Sequence, residues 1–196
     1  LVAIAVSFSD QLDRILKRIK EHFEDDKNIV VKVQNLFVGF DAYKIAIDMA
    51  DFVILATPPG FRTFHFEYAI AQDKHVFMEK PVAVDAPGIR RVLAVGKEAE
   101  KKGLAVGVGL QRHHHPGYIE TIERLQDGAI GNIQLTKVYW NGAGVWVRTR
   151  ADFEAANGHA PTEMEYQVNN WYYFNWLCGD HITEQHIHNL DVSNWL

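Results

Sequence analysis

A single cysteine, Cys178, is the first scarcity in this 196-residue chain. One thiol cannot close an internal disulfide, and no CxxC or Cys/His spacing suggests a structural zinc, so a reducing compartment is expected. With 6 prolines and 14 glycines there is too little of either for collagen-like, mucin-like or low-complexity sequence. Long hydrophobic runs are missing too: Leu1 to Val6 and Phe52 to Ala56 fall far short of the roughly 20 residues that span a bilayer. No membrane partner is expected. Positive charge runs out at Arg150, beyond which there is no Lys or Arg, while Asp152, Glu154, Glu163, Glu165, Asp180, Glu184 and Asp191 all follow. Tracking phosphates needs clustered cations, so no nucleic-acid partner is expected either. The chain lacks an initiator Met, opens on a strand-like run and stops inside a helical pattern. It therefore reads as a fragment. Cytoplasmic residence is the expectation, with export left open by the missing N-terminus.

What is present is a rhythm. Short apolar runs at Leu1 to Val6, Ile29 to Val33, Phe52 to Ala56, His75 to Met78 and Leu104 to Val108 alternate with amphipathic helical patterns. Asp10 is placed to cap a helix carrying Leu12, Ile15, Leu16, Ile19 and Phe23 on one face, and Asp41 precedes Ala42, Ile45, Ala46 and Met49. Arg62 to Gln72 reads as a third helix, and Asp85 caps a fourth that stops at Gly103. Strands joined by helical crossovers run parallel, which predicts an α/β, doubly wound parallel sheet over residues 1–115. From 116 to 196 the pattern changes to a second, α+β domain. A helix ends at Gly128, Ile133 to Trp140 alternates as a strand of an open antiparallel sheet, and 151–161 reads as loop.

In a parallel sheet, ligands bind beyond the carboxyl ends of the strands. Three segments lie there: Thr57-Pro58-Pro59, Glu79-Lys80-Pro81 and Gln111-Arg112. Each has a bland reading as a turn or a solvated ion pair, but Lys80, held at that edge by a following proline, is a candidate for proton exchange. The densest titratable cluster is Gly179 to Asp191. At about 100° per residue, His181, Glu184, His188 and Asp191 share a helix side while His186 faces almost opposite. Glu184 is spaced to hydrogen-bond the His188 ring. A metal site is not expected, since neither HExxH nor HxxEH is present. His113, His114 and His115 read as a solvated loop. Trp140, Trp146, Trp171, Tyr172, Tyr173 and Trp176 suit either a sugar platform or a core.

Leu1 to Ala5, Ala56-Thr57-Pro58, His65, the run Lys74 to Pro81, Gln111-Arg112 and His188-Asn189-Leu190-Asp191, in this order, resemble the Gfo/Idh/MocA oxidoreductases. The resemblance implies a Rossmann domain for NAD or NADP and a C-terminal domain that shapes the substrate site or a homo-oligomer contact. It implies a small-molecule sugar, cyclitol or related polyol as substrate. Lys80 and His188 match the family's catalytic lysine and histidine, and Glu184 stands where the family has aspartate. Thr57, Pro58, His65, Glu79, Lys80, Gln111 and Arg112 are implied as cofactor-binding, with the first five lining one crevice. The family's glycine-rich loop would fall before Leu1, and where an acid for the adenosine ribose is expected the sequence reads Val6-Ser7-Phe8-Ser9-Asp10, which does not choose between NAD and NADP. Two other activities stay open: a sugar-active hydrolase or lyase that uses bound NAD for transient oxidation, and a non-catalytic sugar- or partner-binding descendant.

Overall fold

The computed structural model describes residues 1–23 and 31–196. Among these residues five short strands, β1 (Ile4–Val6), β2 (Leu36–Val38), β3 (Phe52–Leu55), β4 (His75–Met78) and β5 (Val106–Val108), alternate with α1 (Ser9–His22), α2 (Ala42–Asp48), α3 (Pro59–Ala71) and α4 (Ala86–Lys101). Every pairing among the described residues is parallel. β1 pairs with β2, and β3, β4 and β5 lie in that order, with Leu55 opposite Met78 and Met78 opposite Val108. This is the Rossmann-type arrangement that the alternating pattern predicts.

The core lies where the apolar faces of α3 and α4 meet the central strands. Val53 and Leu55 of β3, Val76 and Met78 of β4, Phe66, Ala69 and Ile70 of α3, and Ala99 of α4 are all buried. Burying a side chain of this size contributes about 1.5–3 kcal/mol. Asp85 caps α4 by accepting from the Gly88 amide, and the chain leaves that helix through Gly103 at φ +67°, a conformation natural to glycine.

Several local expectations are corrected. Ile29 and Val30 of the expected second strand lie outside the described residues, and Val33 enters a 3-10 turn. The strand forms instead at Leu36–Val38, in register with Ile4 to Val6. Asp10 does not cap α1: the chain turns at Phe8, and Asp10 sits inside the first turn, 3.2 Å from Arg14. Asp41 stands at the start of α2, but its carboxylate goes to Lys44 at 2.7 Å rather than to a backbone amide.

After β5 the chain makes a 3-10 turn (Gln111–His114) and α5 (Pro116–Gln126), with His115 accepting from the Gly117 amide as its cap. Ile133 to Trp140 forms no strand, and no antiparallel pair exists among the described residues. Alternation alone cannot hold a strand whose amides and carbonyls have no neighbouring strand to bond. Leu135 and Tyr139 are accordingly 73% and 70% exposed. The expected loop at 151–161 is largely helix: α6 (Arg150–Asn157) is opened by a Thr149/Asp152 capping box. A second box, Thr162/Glu165, opens α7 (Glu163–Asn169), followed by α8 (Asn175–Cys178). A single π-helical turn (Ile182–His186) then leads into α9 (Ile187–Trp195).

Candidate functional site

Because β3, β4 and β5 are parallel and in register, Thr57, Lys80 and Arg112, which follow them, emerge on one edge of the sheet. Arg62, in the first turns of α3 and 3% exposed, ties that edge together. Its guanidinium donates to the Thr57 and Pro81 carbonyls, joining the loops after β3 and β4. Burial lowers its pKa to about 10, against the opposing pull of Glu184 and Glu79. Sequence reading passed over Arg62. A guanidinium among apolar neighbours in a strand-to-helix turn was the available signal, but its second carbonyl, that of Pro81, lies 19 residues further along the chain.

α9 is brought to this edge by contacts with the 3-10 turn. The His113 ring lies 2.9 Å from Asp191 and stacks on Trp195 at 3.9 Å, and Gln126 donates to the Trp195 carbonyl at 2.8 Å. The His113 to His115 run is therefore structural: His113 docks α9 and His115 caps α5, so it is not merely solvated loop.

The docking places Glu184, at the centre of the π turn, against Lys80. The Lys80 Nζ donates to Glu184 Oε1 at 2.6 Å and also to the Glu184 carbonyl oxygen. The two residues are 104 positions apart, and their side chains are 14% and 6% exposed. Burial pushes the Glu184 carboxyl up, and the Lys80 bond only partly offsets this. The expected hydrogen bond from Glu184 to His188 is absent among the described residues; the carboxylate is taken by Lys80 instead.

The π turn alters a second expectation. His181 and His186, which diverge on an ideal α-helix, have rings 4.5 Å apart, because a wider turn brings positions i and i+5 over one another. His181 is exposed, whereas Glu184 and His188 are buried.

His188, 6% exposed, stacks its ring on Trp140 with centroids 5.5 Å apart and planes 16° from parallel. Burial first, then the charges of Lys80 and Arg112, lower its pKa to about 4, with Asp191 opposing. Its imidazole is neutral at pH 7. On the same segments Glu184 Oε2, Asn189 Nδ2 and Arg112 Nη1 are buried without a hydrogen-bond partner among the described residues. Unpaired buried polar atoms are costly, and a hydroxyl-bearing ligand could satisfy both donors and acceptors.

Thr57 and His65 stand in a neighbouring cavity of about 360 Å³ between the ends of β1, β2 and β3. Ser7, Gly39, Phe40, Tyr43 and Phe61 also line it, with Met164 and Trp176 contributed from α7 and α8. The Thr57 hydroxyl meets His65 Nδ1 at 3.2 Å, and the His65 ring lies 4.1 Å from Tyr43. Burial and then Arg62 hold His65 down to about 4. Flat aromatic walls with the Ser7 and Thr57 hydroxyls at the carboxyl ends of parallel strands fit a planar heterocycle of a dinucleotide. Glu79 and Lys80 do not line this cavity. Glu79 lies over Gly109, where any Cβ would collide with its carboxylate, and Lys80 faces Glu184. The expected single crevice is two adjacent parts of one edge.

Comparison with known proteins bears on this edge. Residues 10–110, more than half of the chain, match the oxidoreductase family Gfo/Idh/MocA, with an NAD-binding Rossmann fold. The chain belongs to the Gfo/Idh/MocA family. It is 40% identical over 60 residues to a myo-inositol dehydrogenase of Streptomyces leeuwenhoekii, covering 31% of this chain and 18% of that protein. It is 30% identical over 135 residues to an inositol 2-dehydrogenase of Klebsiella pneumoniae, covering 67% of this chain and 32% of the relative. The chain thus spans less than a third of the length of these relatives. Its fold matches that of scyllo-inositol dehydrogenase from Lactobacillus casei, solved with bound NAD(H) and scyllo-inositol, at a TM-score of 0.61 and 20% identity. That match covers all of this chain and 47% of the other.

Proposed function

We propose that this Gfo/Idh/MocA chain is the catalytic part of an NAD(P)-dependent oxidoreductase that moves a hydride between a nicotinamide cofactor and a CH–OH group of a sugar, cyclitol or related polyol. The observation that carries the reading is the Lys80–Glu184 pair set beside a buried, neutral His188 at the carboxyl edge of the parallel sheet. The inositol dehydrogenase relatives support the substrate class.

Thr57, Pro58, His65, Glu79, Lys80, Gln111 and Arg112 would hold the dinucleotide, which supplies the hydride acceptor when bound. Oxidising a secondary alcohol needs a base within about 3 Å of the hydroxyl. His188 takes that proton, since its ring is uncharged at pH 7. Lys80 polarises the same oxygen, and Glu184 sets where the ammonium sits by bonding it through both carboxylate and carbonyl. Residues 1–115 form the cofactor-binding domain in this reading, and 116–196 begin the substrate domain, through which copies of the protein associate as a homo-oligomer. The test is formation of reduced nicotinamide by the complete protein with a panel of inositols and aldoses. Turnover with at least one is expected, and no turnover with either NAD or NADP across the panel overturns the reading.

A further inference from the structure

Trp140 lies in a stretch without helix or strand, yet its indole is applied face to face to His188, with centroids 5.5 Å apart and planes 16° from parallel. The Arg112 guanidinium sits 5.1 Å from the centre of the same indole and 5.5 Å from that of Tyr118. Both separations lie within the range where a cation is attracted to a ring face. Arg112 has no carboxylate partner among the described residues, and its Nη1 is buried without an acceptor. One aromatic ring therefore touches both the proposed base and a cation.

We propose that Trp140 is a positioning residue for His188: its indole face fixes the orientation of the imidazole and shields it from water, with Arg112 drawn onto the same ring. This rests on the role given to His188 above. The groups that face His188 are Lys80 after β4, Arg112 on the 3-10 turn and Asp191 on α9. Glu184, one turn earlier, is engaged by Lys80, and Asp191 by His113. Burial, then Lys80 and Arg112, act against the imidazolium while Asp191 opposes them, and in this proposal Trp140 keeps water from the ring face. Burial and neighbouring cations both disfavour the imidazolium, so removing the indole should make the ring easier to protonate.

The experiment is an NMR titration of the histidine ring nitrogens in the complete protein, alongside the pH profile of kcat/KM. In Trp140→Leu the His188 midpoint should rise by about one pH unit or more, and the acid limb of kcat/KM should move up with it. The NAD(H) dissociation constant should stay within about two-fold. Trp140→Phe, which keeps a flat face, should restore both to within about half a unit. A residue that merely filled space would lower stability and leave the titration where it was. An unmoved His188 midpoint in folded Trp140→Leu overturns the proposal. Should that variant fail to fold, Arg112→Gln decides: loss of the cation should raise the midpoint, and an unchanged value overturns the proposal. A midpoint that follows Trp140 in a protein without turnover on any polyol supports the positioning role and overturns only the assigned activity.

Discussion

Glu184 is the residue whose role tertiary contact redefines most. Its spacing from His188 suits an imidazole partner, but a buried ammonium outcompetes a neutral ring for a buried carboxylate, and Lys80 holds both Glu184 Oε1 and the carbonyl. Removing one member of a buried pair leaves the other desolvated and unpaired, at a cost of about 3–5 kcal/mol. Glu184→Ala should therefore lower stability by about 3 kcal/mol in a denaturant titration, and a loss below about 1 kcal/mol would show the pair to be solvated. His188→Ala and Lys80→Ala should each cut turnover by about 100-fold or more, and in His188→Ala NAD(P) binding should persist. Steady-state rates and cofactor titration on the same preparations separate the two effects.

At the scale of elements, the close approach of α3 to α8 is decided by one missing side chain. A Cβ on Gly60 would strike the Trp176 carbonyl and crowd the Leu177 Cα, both backbone atoms that cannot swing aside. Gly96, inside α4, has nothing within 4 Å of where its Cβ would lie. Gly60→Ala should destabilise by about 1–3 kcal/mol through overpacking. Gly96→Ala should stabilise by about 0.5–1 kcal/mol, since alanine loses less backbone freedom on entering a helix. Opposite shifts of the two denaturant midpoints are the expected result; equal shifts would mean that α3 and α8 are not in contact. The π turn belongs to this scale as well. Glu184 at its centre meets Lys80, and the His181 and His186 rings, which a uniform α-helical repeat would set apart, meet edge to face.

For the whole molecule, acid sensitivity follows from two buried imidazoles. His65 and His188 take up protons at about pH 4 in the folded chain, against an ordinary value of 6.5. Between these values the unfolded chain binds protons that the folded one refuses, so stability is complete above pH 6.5 and falls as pH drops toward 4. Asp10 and Glu184, both pushed up by burial, act in the opposite sense from their ordinary 3.8 and 4.5 upward. Thermal melting across pH 7 to 4.5 should show a falling midpoint, and His65→Gln should flatten the slope. A midpoint independent of pH in that window would mean that the two rings are solvated.

The parallel strand–helix alternation, the α4 cap at Asp85 and the edge positions of Thr57, Lys80 and Arg112 were legible in sequence, because apolar periodicity and capping act within a few residues. Lys80, Glu184 and His188 could be named from residue type, placement and family resemblance. The Lys80–Glu184 contact could not, nor could the reach of Arg62 to Pro81 or the Trp140 stack, since each joins residues 19 or more positions apart in the chain. The alternation of Ile133 to Trp140 matches a strand, but a strand is a property of two chain segments, and among the described residues none pairs with it. Short-range interactions are encoded where they act. Which carboxylate an ammonium reaches, and which ring an indole covers, is decided only when docking of α9 onto the 3-10 turn brings the two halves of the chain together.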